Sequence, residues 1–167
     1  ANNDVNQNNK YIYWMAWQAV SGTVAVGVYT GDGADDRTIE ISATSNPASI
    51  DFQPSYVMVM PEEDEVVGHR SADMPSDTSF PLDNGGAWAN TIQGFVSNGF
   101  VIGSDRRINR NGKNYHYIAW RAVPGHIETG TYNGNGADNR DVDPICFLPE
   151  FVIVKANAID ESVHHPQ

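Results

Sequence analysis

The chain has little of what would mark a disulfide-stabilised, membrane-spanning or nucleic-acid-binding protein. Its 167 residues include one cysteine, so no disulfide can form within the molecule. No apolar run approaches the roughly 18 residues that a membrane-spanning helix needs. Lys and Arg number 10 against 21 Asp and Glu, a net charge of −11, whereas phosphate binding needs clustered basic side chains. We therefore predict no nucleic-acid partner and no membrane insertion.

The motifs of common enzyme classes are also missing. The sequence contains no hydrolase elbow, Walker loop, HExxH, CxxC or glycine-rich dinucleotide turn. His164 and His165 are adjacent, and neighbours on a strand point to opposite faces, so they do not form a chelating pair. Cys146 lies in an apolar segment, which predicts a buried, inert thiol. We predict that the protein is not an enzyme.

What the chain does have is an internal repeat. Residues 8–22 (NNKYIYWMAWQAVSG) return as 111–125 (NGKNYHYIAWRAVPG), and residues 27–37 (GVYTGDGADDR) return as 130–140 (GTYNGNGADNR), both at an offset of 103. Residues 52–60 return as 147–155 at an offset of 95, which places an eight-residue insertion near 43–50. We predict that 1–26 is the last part of one repeat unit, 27–125 a complete unit and 126–167 the first part of another.

The residue pattern predicts an all-β fold. Strands are predicted over 11–20, 24–29, 38–42, 56–60, 65–70, 100–109, 115–123, 128–132 and 151–155, which are rich in Val, Ile, Tyr, Phe and Trp and separated by Gly, Asn, Asp and Pro. The turn dipeptide Asn111-Gly112 predicts a hairpin between 100–109 and 115–123. Residues 87–95 are the only predicted helix. Together these predict an antiparallel two-sheet β-sandwich of jelly-roll or lectin-like type.

The two tryptophan-containing copies of the repeated strand have apolar residues on both faces, as a strand covered on two sides would. An alanine beside a large tryptophan in each copy suits interlocking packing. We predict that the core and the assembly contacts are formed by Tyr13, Trp14, Trp17, Tyr117 and Trp120.

Two repeated loops are the best candidates for chemistry. Carboxylate and amide oxygens between glycines are what Ca²⁺ prefers, and such a site would be formed by Asp32, Asp35, Asp36, Asn135, Asp138 and Asn139. However, Asp32 and Asp36 become Asn in the second copy, which would weaken it. Turns held by Asx hydrogen bonds, with an Asp beside an Arg, explain the same pattern without a metal. Both interpretations remain open.

Trp88 stands in a glycine-rich segment, Asn84-Gly85-Gly86-Ala87-Trp88, that could expose it as a stacking platform for a sugar. The alternative is that Trp88 anchors the predicted helix by packing. Surface glycans are therefore a possible partner.

With these motifs in place, the chain resembles a β repeat of about 100 residues that occurs in large secreted bacterial and archaeal proteins and in phage tail-fibre-like proteins. The resemblance lies in Y-x-G-x-G-x-D-x-R (29–37), F-x-P with its following strand (52–60), His69, G-F-x-x-G-x-D (99–105) and N-x-N-G before Y-x-A-W (109–120). It covers nearly the whole chain and implies an extracellular or virion-associated β module, not a known enzyme.

The out-of-frame repeat leads to the functional hypothesis. Strands within 1–26 of one molecule could pair with 126–167 of the next, which gives a head-to-tail filament. The same segments could instead pair within one molecule, or the chain could belong to a longer protein. The alternative function is a lectin-like, carbohydrate-binding module of a surface adhesin or phage tail fibre.

Overall fold

A computed structural model describes residues 8–9, 11, 14–62, 65–142 and 145–158, together with the backbone of 163–166. These residues form eleven strands and two helices of four residues each. Neither helix is long enough to span a membrane. The prediction of a mostly β protein with antiparallel sheets is confirmed.

The larger sheet has six strands in the order β1-β9-β3-β4-β5-β6. Their bounds are Val24–Thr30 (β1), Asn114–Trp120 (β9), Tyr56–Pro61 (β3), Gly68–Ser71 (β4), Thr78–Pro81 (β5) and Trp88–Ala89 (β6). Strand β9 lies between β1 and β3 and pairs antiparallel with both, so that Trp120 is opposite Val24 on one side and Tyr56 on the other. Strands β1, β3 and β9 match predicted strands closely.

The smaller sheet has three strands in the order β2-β8-β7, with bounds Arg37–Glu40 (β2), Gly99–Ile102 (β8) and Ile92–Val96 (β7). Helix α1 (Ile41–Thr44) follows β2, and helix α2 (Arg106–Asn109) lies between β8 and β9. The main core joins the two sheets. It contains Ala25, Tyr29, Val57, Val59, Tyr115, Tyr117 and Ala119 from the larger sheet and Ile39, Ile92, Phe100 and Ile102 from the smaller.

The opposite face of the larger sheet carries a second apolar cluster formed by Val24, Met58, Ile118 and Trp120. Ile127 and Ile153 from the last third of the chain pack against it. Burial on both faces is what the apolar pattern of the tryptophan strand predicted for residues 115–120.

A separate two-stranded ladder joins β10 (Phe151–Val154) to β11 (Val163–Pro166). In β3–β4, Met58 is opposite His69 and Val59 opposite Gly68. In β10–β11, Ile153 is opposite His164 and Val154 opposite Val163. Each pairing is displaced by 95 residues, so both ladders have the same register.

Two local predictions were wrong. Residues 87–95 form no helix; they contribute β6 and β7, because Ile92 is fully buried and Thr91 bonds to Ser79 of β5. Residues 100–109 are not one strand paired with 115–123. The carboxylate of Asp105 accepts a hydrogen bond from the Arg107 N–H and begins α2, so β8 pairs with β7 and β2 while β9 enters the other sheet.

Two further strands were predicted where none is found. Residue 11 and residues 14–19 are not in a strand, and neither are residues 128–132. A strand forms only beside a hydrogen-bonding partner strand, and β9 already occupies the place between β1 and β3. The prediction of a buried thiol was also wrong, since Cys146 is exposed.

Candidate functional site

The first loop, residues 30–37, is shaped by hydrogen bonds from its own side chains. The Asp32 carboxylate accepts from the Ala34 N–H at 2.9 Å, and the Asp35 carboxylate accepts from the Asp36 N–H at 3.0 Å. The guanidinium of Arg37 donates to the Thr30 carbonyl at 2.7 Å. Gly33 and Asp36 have positive φ angles, which glycine and Asp tolerate better than most residues.

The second loop, residues 133–140, repeats this arrangement. The Asn135 side-chain oxygen accepts from the Ala137 N–H at 3.0 Å, and the Asp138 carboxylate accepts from the Asn139 N–H at 3.0 Å. Arg140 donates to the Asn133 carbonyl, and Gly136 and Asn139 have positive φ angles. Asp and Asn side-chain oxygens both accept such bonds, so replacing one by the other preserves the turn.

Each loop also places its arginine over a tyrosine, but the two tyrosines differ in burial. The Arg37 guanidinium lies 5.7 Å from the Tyr29 ring, and that of Arg140 lies 5.4 Å from the Tyr132 ring. Tyr29 is 3% exposed and stacks on Tyr115 at 5.3 Å, and burial raises the pKa of its hydroxyl. Tyr132 is 46% exposed.

The first loop is covered by α2 and the start of β9. The fully buried Asn109 accepts from the Asp32 N–H at 3.0 Å and donates to the carbonyls of Ala34 at 2.8 Å and Gly103 at 2.9 Å. The Tyr29 hydroxyl donates to the Ile108 carbonyl at 2.7 Å. Sequence reasoning did not single out Asn109 as a functional residue, although it begins the N-x-N-G motif.

The glycines around the two loops also differ in how closely neighbouring atoms pack against them. A Cβ at Gly27 would lie 2.5 Å from the Tyr117 ring, and one at Gly31 would lie 2.3 Å from the Arg110 carbonyl oxygen. At the corresponding Gly130 and Gly134, a Cβ would meet no atom of the described residues within 4 Å. The second loop thus retains small residues where its present surroundings do not require them.

The loops contain the Asx hydrogen bonds and the Asp–Arg contact that the turn interpretation predicts. Asp32 is 3.3 Å from the Arg37 guanidinium, and the hydrogen bond from the Ala34 N–H lowers the pKa of its carboxyl. Asp35 also accepts from the Gln93 side chain at 3.0 Å. Within the described residues, no group of three or more His, Cys, Asp or Glu side chains is placed to hold a metal ion.

The aromatic residues predicted for core and assembly fall into two groups. Tyr117 and Trp120 are buried in β9. Trp17 is 43% exposed and contacts Trp120 edge-on at a ring distance of 5.3 Å. Trp14 is 83% exposed, so its prediction as a core residue is wrong for the single chain, because no described strand pairs with residues 14–17. Tyr13 lies outside the described residues.

Trp88 is half-buried in β6 and is not an open platform. The Arg107 guanidinium lies 4.9 Å from its ring, and a Cβ at Gly68 would be 3.2 Å from the ring. The packing alternative for Trp88 therefore fits, although on a strand rather than on the predicted helix.

His69 has an environment that the sequence did not indicate. It is 2% exposed in β4, and its Nδ1 lies 2.8 Å from the Tyr56 hydroxyl. Burial, with a smaller effect from the Lys155 charge, lowers the pKa of His69 to about 4. The imidazole is therefore neutral near pH 7, as a packed core histidine is.

Comparison with known proteins adds no family to these observations. No family model, no curated protein and no solved structure matches the chain.

Proposed function

We propose that the protein is an extracellular structural protein that self-assembles head to tail into a filament by β-strand complementation. One observation carries the proposal. The second loop and the β10–β11 ladder have the geometry of the first loop and the β3–β4 ladder, but no strand among the described residues takes the place beside them that β9 takes beside β1 and β3. The segment with the sequence of β9 is residues 11–17, and its described residues, 11 and 14–17, pair with neither.

Exposed apolar side chains support the same proposal. Fourteen large apolar side chains are exposed among the described residues; five lie between residues 11 and 20 and five between 132 and 154. Clustered apolar exposure marks interaction surfaces more often than isolated exposed residues do. The two segments that the repeat would bring together are therefore those with apolar surface still to bury.

The proposal includes the finer architecture. The two packed sheets form a sandwich of jelly-roll or lectin-like type, and the chain is a tandem repeat out of frame with its ends. Residues 27–125 form a complete unit. Residues 1–26 complete the unit that 126–167 of another molecule begins. A contact between two different surfaces repeats along an axis unless its rotation closes a ring, and so it produces filaments.

The carbohydrate-binding alternative gains no specific support from the site. Its main candidate, Trp88, is in contact with Arg107 and is half-buried. The extracellular location rests on the resemblance of the repeat to secreted and tail-fibre-like proteins.

Deletion of residues 1–20 tests the proposal. The full chain should form filaments in negative-stain micrographs, and the deleted chain should stay monomeric while keeping its β circular dichroism. Because the deleted chain retains 126–167, adding it to full chains should shorten the filaments by capping one end. Filaments from the deleted chain alone would contradict the proposal, as would a full chain that remains monomeric at all concentrations.

A further inference from the structure

We infer that residues 11–17 of one copy insert between residues 127–133 and 151–156 of the next in one fixed register, with Trp14 over Gly130. The inference rests on the proposed function and specifies the partner surface. Strand β9 is the template, because it lies antiparallel between β1 and β3. Applying the offsets of 103 and 95 places Trp17 opposite Ile127, and Met15 opposite both Thr129 and Ile153.

The glycine at position 130 gives this register its most specific support. In β1, Gly27 is opposite Tyr117, and the Tyr117 ring occupies the space that a Cβ would need. The repeat makes Gly130 the counterpart of Gly27 and Trp14 the counterpart of Tyr117. Gly130 has open space where Gly27 has a ring, and Trp14 is an exposed ring. Docking would bury that ring against the glycine.

The turns that flank the inserted segment already have the required shape. The carbonyl of Val20 accepts hydrogen bonds from the N–H groups of residues 23 and 24 at 2.8–2.9 Å. The carbonyl of Val123 accepts the equivalent bonds from residues 126 and 127 at 2.9 Å. The glycines of these turns, Gly22 and Gly125, have φ angles of 78° and 79°. On the other flank, Asn9 has a φ of 60° where Gly112 has 75°. The turns on the two sides of the inserted segment therefore match those on the two sides of β9.

The receiving side is equally prepared. Strand β10 pairs with β11 on one edge, in the register of β3 with β4. Among the described residues, no strand pairs with its other edge, which is the edge that β9 occupies on β3. Backbone groups at such an edge template the addition of a strand. The side chains of residues 153 and 15 would then extend the apolar cluster around Ile118 and Met58 by one unit.

Cysteine cross-linking between differently tagged full-length chains tests the register. Every chain carries Cys146→Ser; one chain adds Met15→Cys, and the other adds either Thr129→Cys or its matched control Thr131→Cys. Residues 129 and 131 are both threonines and, in the proposed strand, share a face. The 15–129 pair should give roughly tenfold more disulfide between chains than 15–131, because a two-residue shift exceeds disulfide reach.

The outcomes separate this inference from the proposed function. Filaments that form with equal or greater 15–131 cross-linking would overturn the register and leave strand exchange standing. Preferred 15–129 cross-linking without filaments would support the register and overturn polymerisation. If neither filaments nor cross-links form, both the register and the proposed function are overturned.

A glycine substitution tests the Trp14 contact separately. A Cβ at residue 130 would meet no described atom within 4 Å, so the melting temperature of Gly130→Val should match that of the parent. Overpacking against Trp14 should raise the critical concentration for assembly roughly tenfold. Thr131→Val is the control, since Val28 already stands at the corresponding position of β1 and residue 131 faces away from residue 130. Unchanged assembly of Gly130→Val would overturn the contact.

Discussion

The first and second loops have the same internal hydrogen bonds and different surroundings. Asp32 and Asn135 accept the same backbone bond, and Arg37 and Arg140 lie over equivalent tyrosines. Within the part of the chain that the structure describes, only the first loop is covered by a buried asparagine and a stacked tyrosine. The loop sequence alone therefore determines the turn, whereas burial of the loop depends on the strand that lies beside it.

The strand ladders likewise depend partly on local sequence and partly on a distant strand. The β3–β4 and β10–β11 ladders share a register, but only β3 has β9 on its other edge. Neighbouring strands joined by a short connection can pair locally. The third strand must come from a distant part of the chain, or from another chain.

The largest expected difference in stability is between substitutions of the two equivalent tyrosines, Tyr29 and Tyr132. Tyr29→Ala removes a buried, stacked ring and should lower the free energy of unfolding by about 3–5 kcal/mol. Tyr132→Ala at an exposed ring should change it by no more than about 0.5 kcal/mol. Urea unfolding of dilute, monomeric protein measures both. Equal losses would show that residues 127–133 are covered within one molecule.

A smaller difference is expected for the asparagine that holds the first loop. Asn109→Ala leaves the Asp32 N–H and two carbonyls without their partner, which should cost about 1–3 kcal/mol. Asn133→Ala in the exposed second loop is the control and should be nearly neutral. If amide hydrogen exchange of Ala34 and its neighbours stays as slow in Asn109→Ala as in the parent, Asn109 does not hold this loop.

The smallest effect is expected at Asp32, one of the two positions where the first loop has Asp and the second has Asn. Asp32→Asn converts the first loop to the residue found at 135 and should change stability by less than about 1 kcal/mol at pH 7. The folded state lowers the pKa of Asp32 below the unfolded value, so its contribution is full above that value and is lost as the pH falls through the folded pKa. The variant should therefore lose less stability on acidification.

Added Ca²⁺ tests the cation interpretation on the parent protein and Asp32→Asn. Melting temperatures of the parent and of Asp32→Asn should be the same with added Ca²⁺ and with a chelator. A Ca²⁺-dependent rise that disappears in Asp32→Asn would restore the cation interpretation.

Much of the local structure could be predicted from the sequence. Alternation of large apolar residues identified β1, β3 and β9, and the repeated glycines and Asx residues identified both turns. Residues 87–95 misled because a short apolar run has no clear period. Residues 100–109 misled because the predicted strand extends to Ile108 and Asn109, whereas β8 ends at Ile102 and the Asp105 cap begins α2. Asn109 was missed because its three bonds reach residues up to 77 positions away.

By itself, the sequence determined strands β1, β3 and β9, the turns of both loops and the similarity of the repeated segments, because these depend on interactions among residues close along the chain. Only the tertiary structure decided which copy is buried, since burial requires a neighbour that local pattern does not specify. Tyr29 has that neighbour in Tyr115, and Tyr132 is half-exposed with the same loop around it.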